Sequence, residues 1–225
     1  MIRHAQPQWV VDGLARNDPD LSPLGRQQAD AVGAAAAELD LDQIWVSPAR
    51  RSQQTAEAIV AHHDAPVRTS DWALEIQFPP GWDEAPAEQV EAWLRTSRHQ
   101  DRDQWWEASA PHGGESFRDF HARVTTGLDR ELAELGIMRL DDEDDLYTVD
   151  NDDRRRIALI THAGTNSVVL THLLGLPPQP WEWERFSSAH ASISRLRHRP
   201  IANASIFGLR SFSETAHMAD VGITR

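Results

Sequence analysis

Apolar and polar positions along the chain repeat first at helical and then at strand spacing. Ser22 and Pro23 suit the N-cap and the first position of a helix, and an apolar stripe continues at helical spacing to Leu39. The apolar run over 41–46 predicts a short strand. A second helix is predicted over about 50–63, and residues 66–69 can form another short strand.

The second half of the chain repeats this alternation. A strong amphipathic helix begins after Gly113-Gly114-Glu115-Ser116 and ends at Gly136. The run 156–161 predicts a buried strand, and a helix is predicted over about 166–174. Residues 192–196 and 204–209 alternate in polarity, which predicts two antiparallel strands added to the sheet. Strands alternating with helices indicate one α/β layered domain over 1–225.

Three segments lack this regularity. Residues 7–20 are polar and predict a loop. Residues 76–112 hold several prolines and glycines and predict an irregular cap, or lid, over a site. Residues 139–155 form a mostly acidic run, interpreted as a solvated loop because its spacing fits no calcium-loop pattern.

Composition narrows the function classes. The formal net charge of -13 argues against nucleic acid or an anionic membrane as the main partner. The absence of cysteine excludes disulfides, thiolate nucleophiles and zinc–cysteine sites. No apolar run is long enough to span a bilayer and no signal peptide is recognisable, so we expect a cytoplasmic protein. Only three residues precede His4, so either the native chain begins upstream or its first strand is unusually short.

Candidate chemistry lies at two predicted strand ends. Arg3 and His4 end the first strand, and His162 follows the strand over 156–161. An arginine offers a rigid fork of donors to a phosphate, and a neutral imidazole can attack phosphorus and carry the phosphoryl group. Folds of this class place anion sites where strands end and helices begin.

Six short motifs occur in an order that resembles the histidine phosphatase superfamily, which includes the phosphoglycerate mutases. They are Arg3-His4-Ala5, Leu21-Ser22-Pro23-Leu24-Gly25, the segment from Ser47 to Ala56, Leu74-Glu75-Ile76, Gly114-Glu115-Ser116 and Thr161-His162-Ala163-Gly164. The resemblance covers nearly the whole chain. It implies a three-layer αβα sandwich with a mostly parallel central sheet and a small irregular cap.

The resemblance also implies the site residues. His4 matches the nucleophile, and Glu75 matches the general acid. Arg3 and Arg51 match the phosphate-binding arginines, Arg50 being the neighbour that could be confused with the second. His162 matches the second histidine, and Ala163, in the turn that follows it, is placed with the substrate-binding residues. The implied enzyme is a phosphomonoesterase that forms a phosphohistidine on His4, acts on a small-molecule phosphate ester and needs no metal or other cofactor.

Two features leave alternatives open. The mutase branch carries Glu-Arg-His-Tyr-Gly after its acid, whereas Glu75 is followed by Ile76-Gln77-Phe78, which favours hydrolysis over a mutase-type phosphotransfer. A non-catalytic phosphate-binding module is the third interpretation.

Four of the nine tryptophans, at positions 82, 93, 105 and 106, fall in the cap, where they either pack its interior or form a wall for an apolar or aromatic leaving group. The physiological substrate and the oligomeric state are not determined by the sequence.

Overall fold

The computed structural model describes residues 1–97, 99–107, 112–140, 146–150, 153–180 and 182–225. Its strands are β1 (Ile2–Arg3), β2 (Val10–Val11), β3 (Leu14–Ala15), β4 (Gln43–Val46), β5 (Val67–Thr69), β6 (Met138–Arg139), β7 (Tyr147–Thr148), β8 (Ile157–Thr161), β9 (Ile193–Ile201) and β10 (Ala204–Glu214). The α-helices are α1 (Pro23–Ala36), α2 (Arg50–Val60), α3 (Ala87–Ser97), α4 (Phe117–Glu134), α5 (Ala163–Leu173) and α6 (Glu182–Arg185).

An eight-stranded mixed sheet runs through the molecule in the order β5-β4-β8-β1-β9-β10-β7-β6. The four strands from β5 to β1 are parallel, and the strands beyond β1 pair antiparallel. The α/β fold class with helices on both faces is therefore confirmed. The two antiparallel strands predicted in the tail are β9 and β10, which extend the sheet beyond β1.

Alternation along the central strands builds the two cores. Ile44 and Val46 of β4 lie in the core that holds α1 and α2, whereas Trp45 lies in the core that holds α4 and α5. In β8, Ile160 joins the first core and Leu159 the second. Successive side chains of a strand point to opposite faces, so these short apolar runs hold both helical layers on the sheet.

Helix boundaries follow local chemistry. The Ser22 hydroxyl accepts a hydrogen bond from the backbone N–H of Gly25, and Pro23 is the first residue of α1, as predicted. Helix α5 begins at Ala163, three residues earlier than predicted. The reason is that the carboxylate of Glu75 accepts the N–H of Gly164, so a distant side chain satisfies a donor that the helix start leaves unpaired.

Two segments expected to be loops contain short strands. Strands β2 and β3 form a hairpin within residues 7–20, and this hairpin joins the cap through backbone hydrogen bonds between Ala15 and residues 84 and 85. In the acidic run, β6 and β7 form the outer edge of the sheet, because buried Tyr147 packs edge-on against Phe207. Residues 141–145, 151 and 152 of that run lie outside the described residues.

The cap over 76–112 is built from α3 and short 3-10 turns at Pro80–Trp82 and Arg102–Trp106. Trp82 stacks on Phe78 and meets Trp93 edge-on, and Trp93 meets His112 in the same way. These three tryptophan contacts therefore hold the cap together. Among the described residues, no helix has the length and apolar character needed to cross a membrane.

Gly127 of α4 sets how closely that helix approaches Trp72. A Cβ atom at position 127 would lie 2.2 Å from Cβ and Cγ of Trp72, which is a buried residue of the second core. We predict that Gly127→Ala lowers the free energy of unfolding by about 1–3 kcal/mol, the usual cost of overpacking, although alanine favours helix.

Urea unfolding monitored by circular dichroism tests this prediction. Gly81→Ala is the matched control, because a Cβ atom there would have nothing within 4 Å. A Gly127→Ala variant more stable than the wild type would show that helix propensity outweighs the contact with Trp72.

Candidate active site

The site begins where two neighbouring parallel strands end. Strand β1 pairs with β8, Arg3 lies opposite Thr161, and the backbone N–H of His4 donates to the carbonyl of Thr161 at 2.8 Å. The register therefore brings His4 and His162 side by side, with their ring centroids 5.1 Å apart. Residues 158 positions apart in the sequence share one buried edge of the sheet because carboxyl ends of parallel strands lie together.

The hydrogen bonds of His4 define its tautomer. Its Nδ1 lies 2.8 Å from the carbonyl oxygen of Ala5, which can only accept, so Nδ1 carries the proton. Its Nε2 lies 3.3 Å from Nε of Arg51, which can only donate, so Nε2 is bare. Burial lowers the pKa of His4 well below 6.5, and Arg51, His162 and Arg3 lower it further. His4 is therefore a neutral imidazole with one bare nitrogen.

The structure separates the two adjacent arginines. Arg51 lies in the first turn of α2, is 5% exposed and reaches His4. Arg50 points outward and pairs with Asp20 at the surface. The pKa of Arg51 is lowered by burial, while Glu75 and Asp18 oppose that change. Arg51 is thus the buried arginine that the motif identified, and Arg50 is a surface residue.

Arg3 is fixed by residues that sequence reasoning missed. Its Nη1 donates to the carbonyl oxygen of Ser188, and its Nη2 lies 3.0 Å from Nε2 of His190. Burial lowers the pKa of Arg3 to about 10, with Glu75 raising it and Arg51 lowering it. No motif marks His190, which lies in the link before β9, so only the fold reveals that its ring is 5.6 Å from the ring of His4.

His162 is fully buried between the strand end and α5. Its Nε2 lies 2.8 Å from the hydroxyl of Ser47, which follows β4. Its Nδ1 is buried and has no hydrogen-bond partner among the described residues. Burial, followed by Arg51 and Arg3, lowers the pKa of His162 well below 6.5. A buried nitrogen without a partner is rare in proteins, which makes Nδ1 a candidate contact for a bound ligand.

The carboxylate of Glu75 accepts hydrogen bonds from backbone amides. Gly164 N–H donates to Oε2 at 2.9 Å, and Ile76 N–H donates to Oε1 at 3.0 Å. Burial raises the pKa of Glu75, although these amides, Arg51 and Arg3 each oppose the change. A Cβ atom at position 164 would lie 2.3 Å from Oε1, so only glycine admits the carboxylate here.

The segment carrying Glu75 is fastened to the sheet and to α4. The hydroxyls of Thr161 and Thr165 donate to the carbonyls of residues 73 and 74. Arg123 of α4 donates to the carbonyls of residues 72, 74 and 75 while it pairs with Glu115 at 2.7 Å. Glu115 belongs to the Gly-Glu-Ser motif, so the structure explains that motif as an anchor for the acid's backbone.

A tryptophan outside the cap reaches the site. The guanidinium of Arg51 lies 4.9 Å from the ring centroid of Trp9, which is 38% exposed. By contrast, Trp106 packs against Phe117 of the second core and beneath Arg118. Trp9 therefore lies against a site arginine, at a position where the sequence predicts only a loop.

The site thus combines the buried Arg51, the half-buried Arg3, two neutral imidazoles, a carboxyl group with a raised pKa and the start of α5 at Ala163. Such a cluster has an excess of positive charge and suits an anion that carries about two negative charges. Within the described residues, no group of three or more His, Cys, Asp or Glu side chains is placed to hold a metal ion.

Comparisons with known proteins agree with this geometry. The family model described as "Histidine phosphatase superfamily (branch 1)" matches residues 1–204. The chain is 31% identical over 185 residues to a glucosyl-3-phosphoglycerate phosphatase of Mycolicibacterium vanbaalenii, covering 80% of this chain and 76% of that protein. It is 35% identical over 114 residues to an uncharacterized protein of Mycobacterium tuberculosis, covering 49% of this chain and about half, 52%, of that protein.

The solved structures give the same result. A mycobacterial glucosyl-3-phosphoglycerate phosphatase in complex with VO3 superimposes with a TM-score of 0.69 and 26% identity, covering 96% of this chain and 98% of that one. Because the family model spans most of the sequence and a relative above 30% identity is covered over three quarters of its length, the chain belongs to branch 1 of the histidine phosphatase superfamily.

Proposed function

We propose that the protein hydrolyses phosphate monoesters of small molecules through a phosphohistidine on His4. The observation that carries the proposal is the tautomer of His4, whose Nδ1–H is tied to the carbonyl of Ala5 while Nε2 is bare beside Arg51. A nucleophilic imidazole needs this arrangement, because the proton sits on the nitrogen that does not attack.

The charges of the site match the substrate. A phosphomonoester carries close to two negative charges at neutral pH, and Arg3 and Arg51 supply two positive charges. Arg51 would turn its Nε–H from His4 to a phosphoryl oxygen, which exposes Nε2 for attack. His162 would donate from Nδ1 when Ser47 donates to Nε2, and the first amides of α5, including that of Ala163, add further positive potential. The two arginines supply the charge stabilisation, so the proposed reaction needs no metal.

Glu75 gives up a proton in the first chemical step and takes one back in the second. Nε2 of His4 attacks phosphorus in line as the bond to the leaving oxygen breaks, and protonated Glu75 gives its proton to that oxygen. A water molecule then gives a proton to the Glu75 carboxylate and attacks phosphorus, which breaks the bond to His4 and releases inorganic phosphate. General acid–base catalysis of this kind raises the reaction rate by about 10²–10⁴-fold.

The superfamily also contains mutases and the sequence lacks the mutase segment after Glu75, so hydrolysis is the proposed outcome. A cytoplasmic location stays a prediction.

Hydrolysis of p-nitrophenyl phosphate by the wild type and His4→Ala tests the proposal. We expect metal-independent activity that persists with a chelator and falls by about 10³-fold or more in the variant, because the nucleophile is gone. His62→Ala is the matched control, since His62 is exposed. Turnover unchanged in His4→Ala would overturn the mechanism.

Inactivity of the wild type across a broad panel of phosphate esters would instead favour a phosphate-binding module, and transfer of the phosphoryl group to an added alcohol would favour a mutase.

The pH dependence should separate Glu75 from His4. Burial raises the pKa of Glu75, and the acid is active when protonated, so the rate of leaving-group departure should fall as pH rises through that pKa. Glu75→Gln should abolish this alkaline limb and slow alkyl phosphates more than p-nitrophenyl phosphate, whose leaving group needs little protonation. Because the pKa of His4 is lowered well below 6.5, the acid limb should lie below the titration range of a free imidazole. Equal losses of kcat/KM, which reports the first chemical step, for both ester types would exclude Glu75 as the acid.

Trp9 should influence which esters are accepted. Its indole lies against Arg51 and is partly exposed, so it offers an apolar face to a leaving group bound beside the phosphate. We expect Trp9→Ala to raise KM for naphthyl phosphate more than for glycerol phosphate. Trp106→Ala is the comparison variant. If Trp106→Ala instead gave the larger difference between the KM values for the two esters, the aromatic contact would lie in the cap, as the sequence predicts.

A further inference from the structure

His190 is buried, as His4 and His162 are, and it lies beside the candidate nucleophile His4. The proposed reaction gives it no role. It is 4% exposed and lies in the link before β9. Both ring nitrogens have partners. Nε2 lies 3.0 Å from Nη2 of Arg3, and Nδ1 lies 2.9 Å from the hydroxyl oxygen of Thr224.

The partner at Nε2 determines the tautomer. A guanidinium group can only donate, so Nε2 of His190 must be a bare acceptor, and the ring proton must lie on Nδ1. The hydroxyl oxygen of Thr224 then accepts from Nδ1. Burial, followed by Arg3, lowers the pKa of His190 to about 3, which agrees with a neutral ring. With both nitrogens engaged, His190 has no free position from which to transfer a proton.

Thr224 is itself held in place by the core. The side-chain amide of Gln28, which is fully buried in α1, donates to the hydroxyl of Thr224 at 3.0 Å and to the carbonyl of Gly222 at 2.9 Å. The carbonyl oxygen of Gln28 accepts the backbone N–H of Gln6 at 2.9 Å, two residues after His4. The chain of contacts therefore returns to the segment that carries the candidate nucleophile.

We propose that His190 is a positioning residue for Arg3 and that Thr224 fixes the tautomer in which Nε2 of His190 can accept from the guanidinium. Together with the carbonyl of Ser188, His190 fixes both terminal nitrogens of Arg3 from one side. The plane of the guanidinium is then set before a phosphoryl group binds, and its remaining N–H groups are left for the ligand. The inference deepens the proposed function, on which it rests, by adding the residues that orient its phosphate-binding arginine.

Affinity for inorganic phosphate, measured by isothermal titration calorimetry, tests this inference without requiring turnover. His190→Phe keeps a ring of similar breadth but removes the acceptor, and Thr224→Val removes the hydroxyl while keeping the shape. We expect His190→Phe to weaken phosphate binding about tenfold or more, as the loss of a hydrogen bond to a charged group does. Thr224→Val should weaken it as well, because Nδ1–H of His190 then loses its acceptor. His190→Gln and Thr224→Ser restore an acceptor and should bind within about threefold of the wild type.

A double-mutant cycle distinguishes positioning from a merely structural role. In an Arg3→Ala background, His190→Phe should have no further effect on phosphate affinity, because its partner is gone. Ile223→Ala is the control for disturbing the tail, since Ile223 is 54% exposed. Thermal unfolding of every variant identifies any that fail to fold, and Thr224→Val carries the test if His190→Phe does not fold.

The outcomes separate this inference from the proposed function. Wild-type protein that binds phosphate but hydrolyses no ester would overturn the proposed function, while the variants would still decide the inference. Phosphate affinity unchanged in both His190→Phe and Thr224→Val would overturn the inference alone. An equal loss for His190→Phe with and without Arg3 would also overturn it, because the residue would then act elsewhere.

Discussion

Two guanidinium groups beside a neutral imidazole, one buried and one half-buried, are the constraint around which the site is arranged. Desolvating an arginine is costly, and placing Arg3 and Arg51 around one ring adds like-charge repulsion. Glu75 offsets part of this repulsion, but burial raises its own pKa. The fold holds this arrangement because strands β1 and β8, the helices that follow β4 and β8, and the Glu75 segment all meet at one edge of the sheet. A doubly charged anion would offset more of this imbalance than a singly charged one.

The anchors of the site show that its precision depends on residues far from the chemistry. Arg123 and Glu115 hold the backbone ahead of Glu75, and Gly164 leaves room for its carboxylate. His190 and Ser188 hold the guanidinium of Arg3. Helix α4, which carries Arg123, and the link that carries His190 also contribute residues to the hydrophobic cores. The same elements therefore contribute both to the hydrophobic packing and to the geometry of the site.

Periodicity predicts the strand ends at His4 and His162, whereas Arg51 and Glu75 were identified only by the resemblance to the family. Arg3, His4, Arg51, Glu75 and His162 converge as the resemblance implied, and their roles in catalysis stay predictions. His190 gave no signal, because its partners Arg3 and Thr224 are 187 and 34 positions away. The hairpin β2–β3 had a usable signal in Asp12-Gly13 between short apolar pairs, whereas β7, which lies between β10 and the edge strand β6, was hidden by its acidic neighbours.

A crystal structure with orthovanadate bound would show whether His4 is placed to attack phosphorus, because vanadate adopts the five-coordinate geometry of phosphoryl transfer. We predict vanadium bonded to Nε2 of His4, with equatorial oxygens contacting Arg3, Arg51 and Nδ1 of His162 and an apical oxygen facing Glu75. Vanadate bound away from His4, or Arg51 still donating to Nε2 of His4 with the anion present, would contradict it.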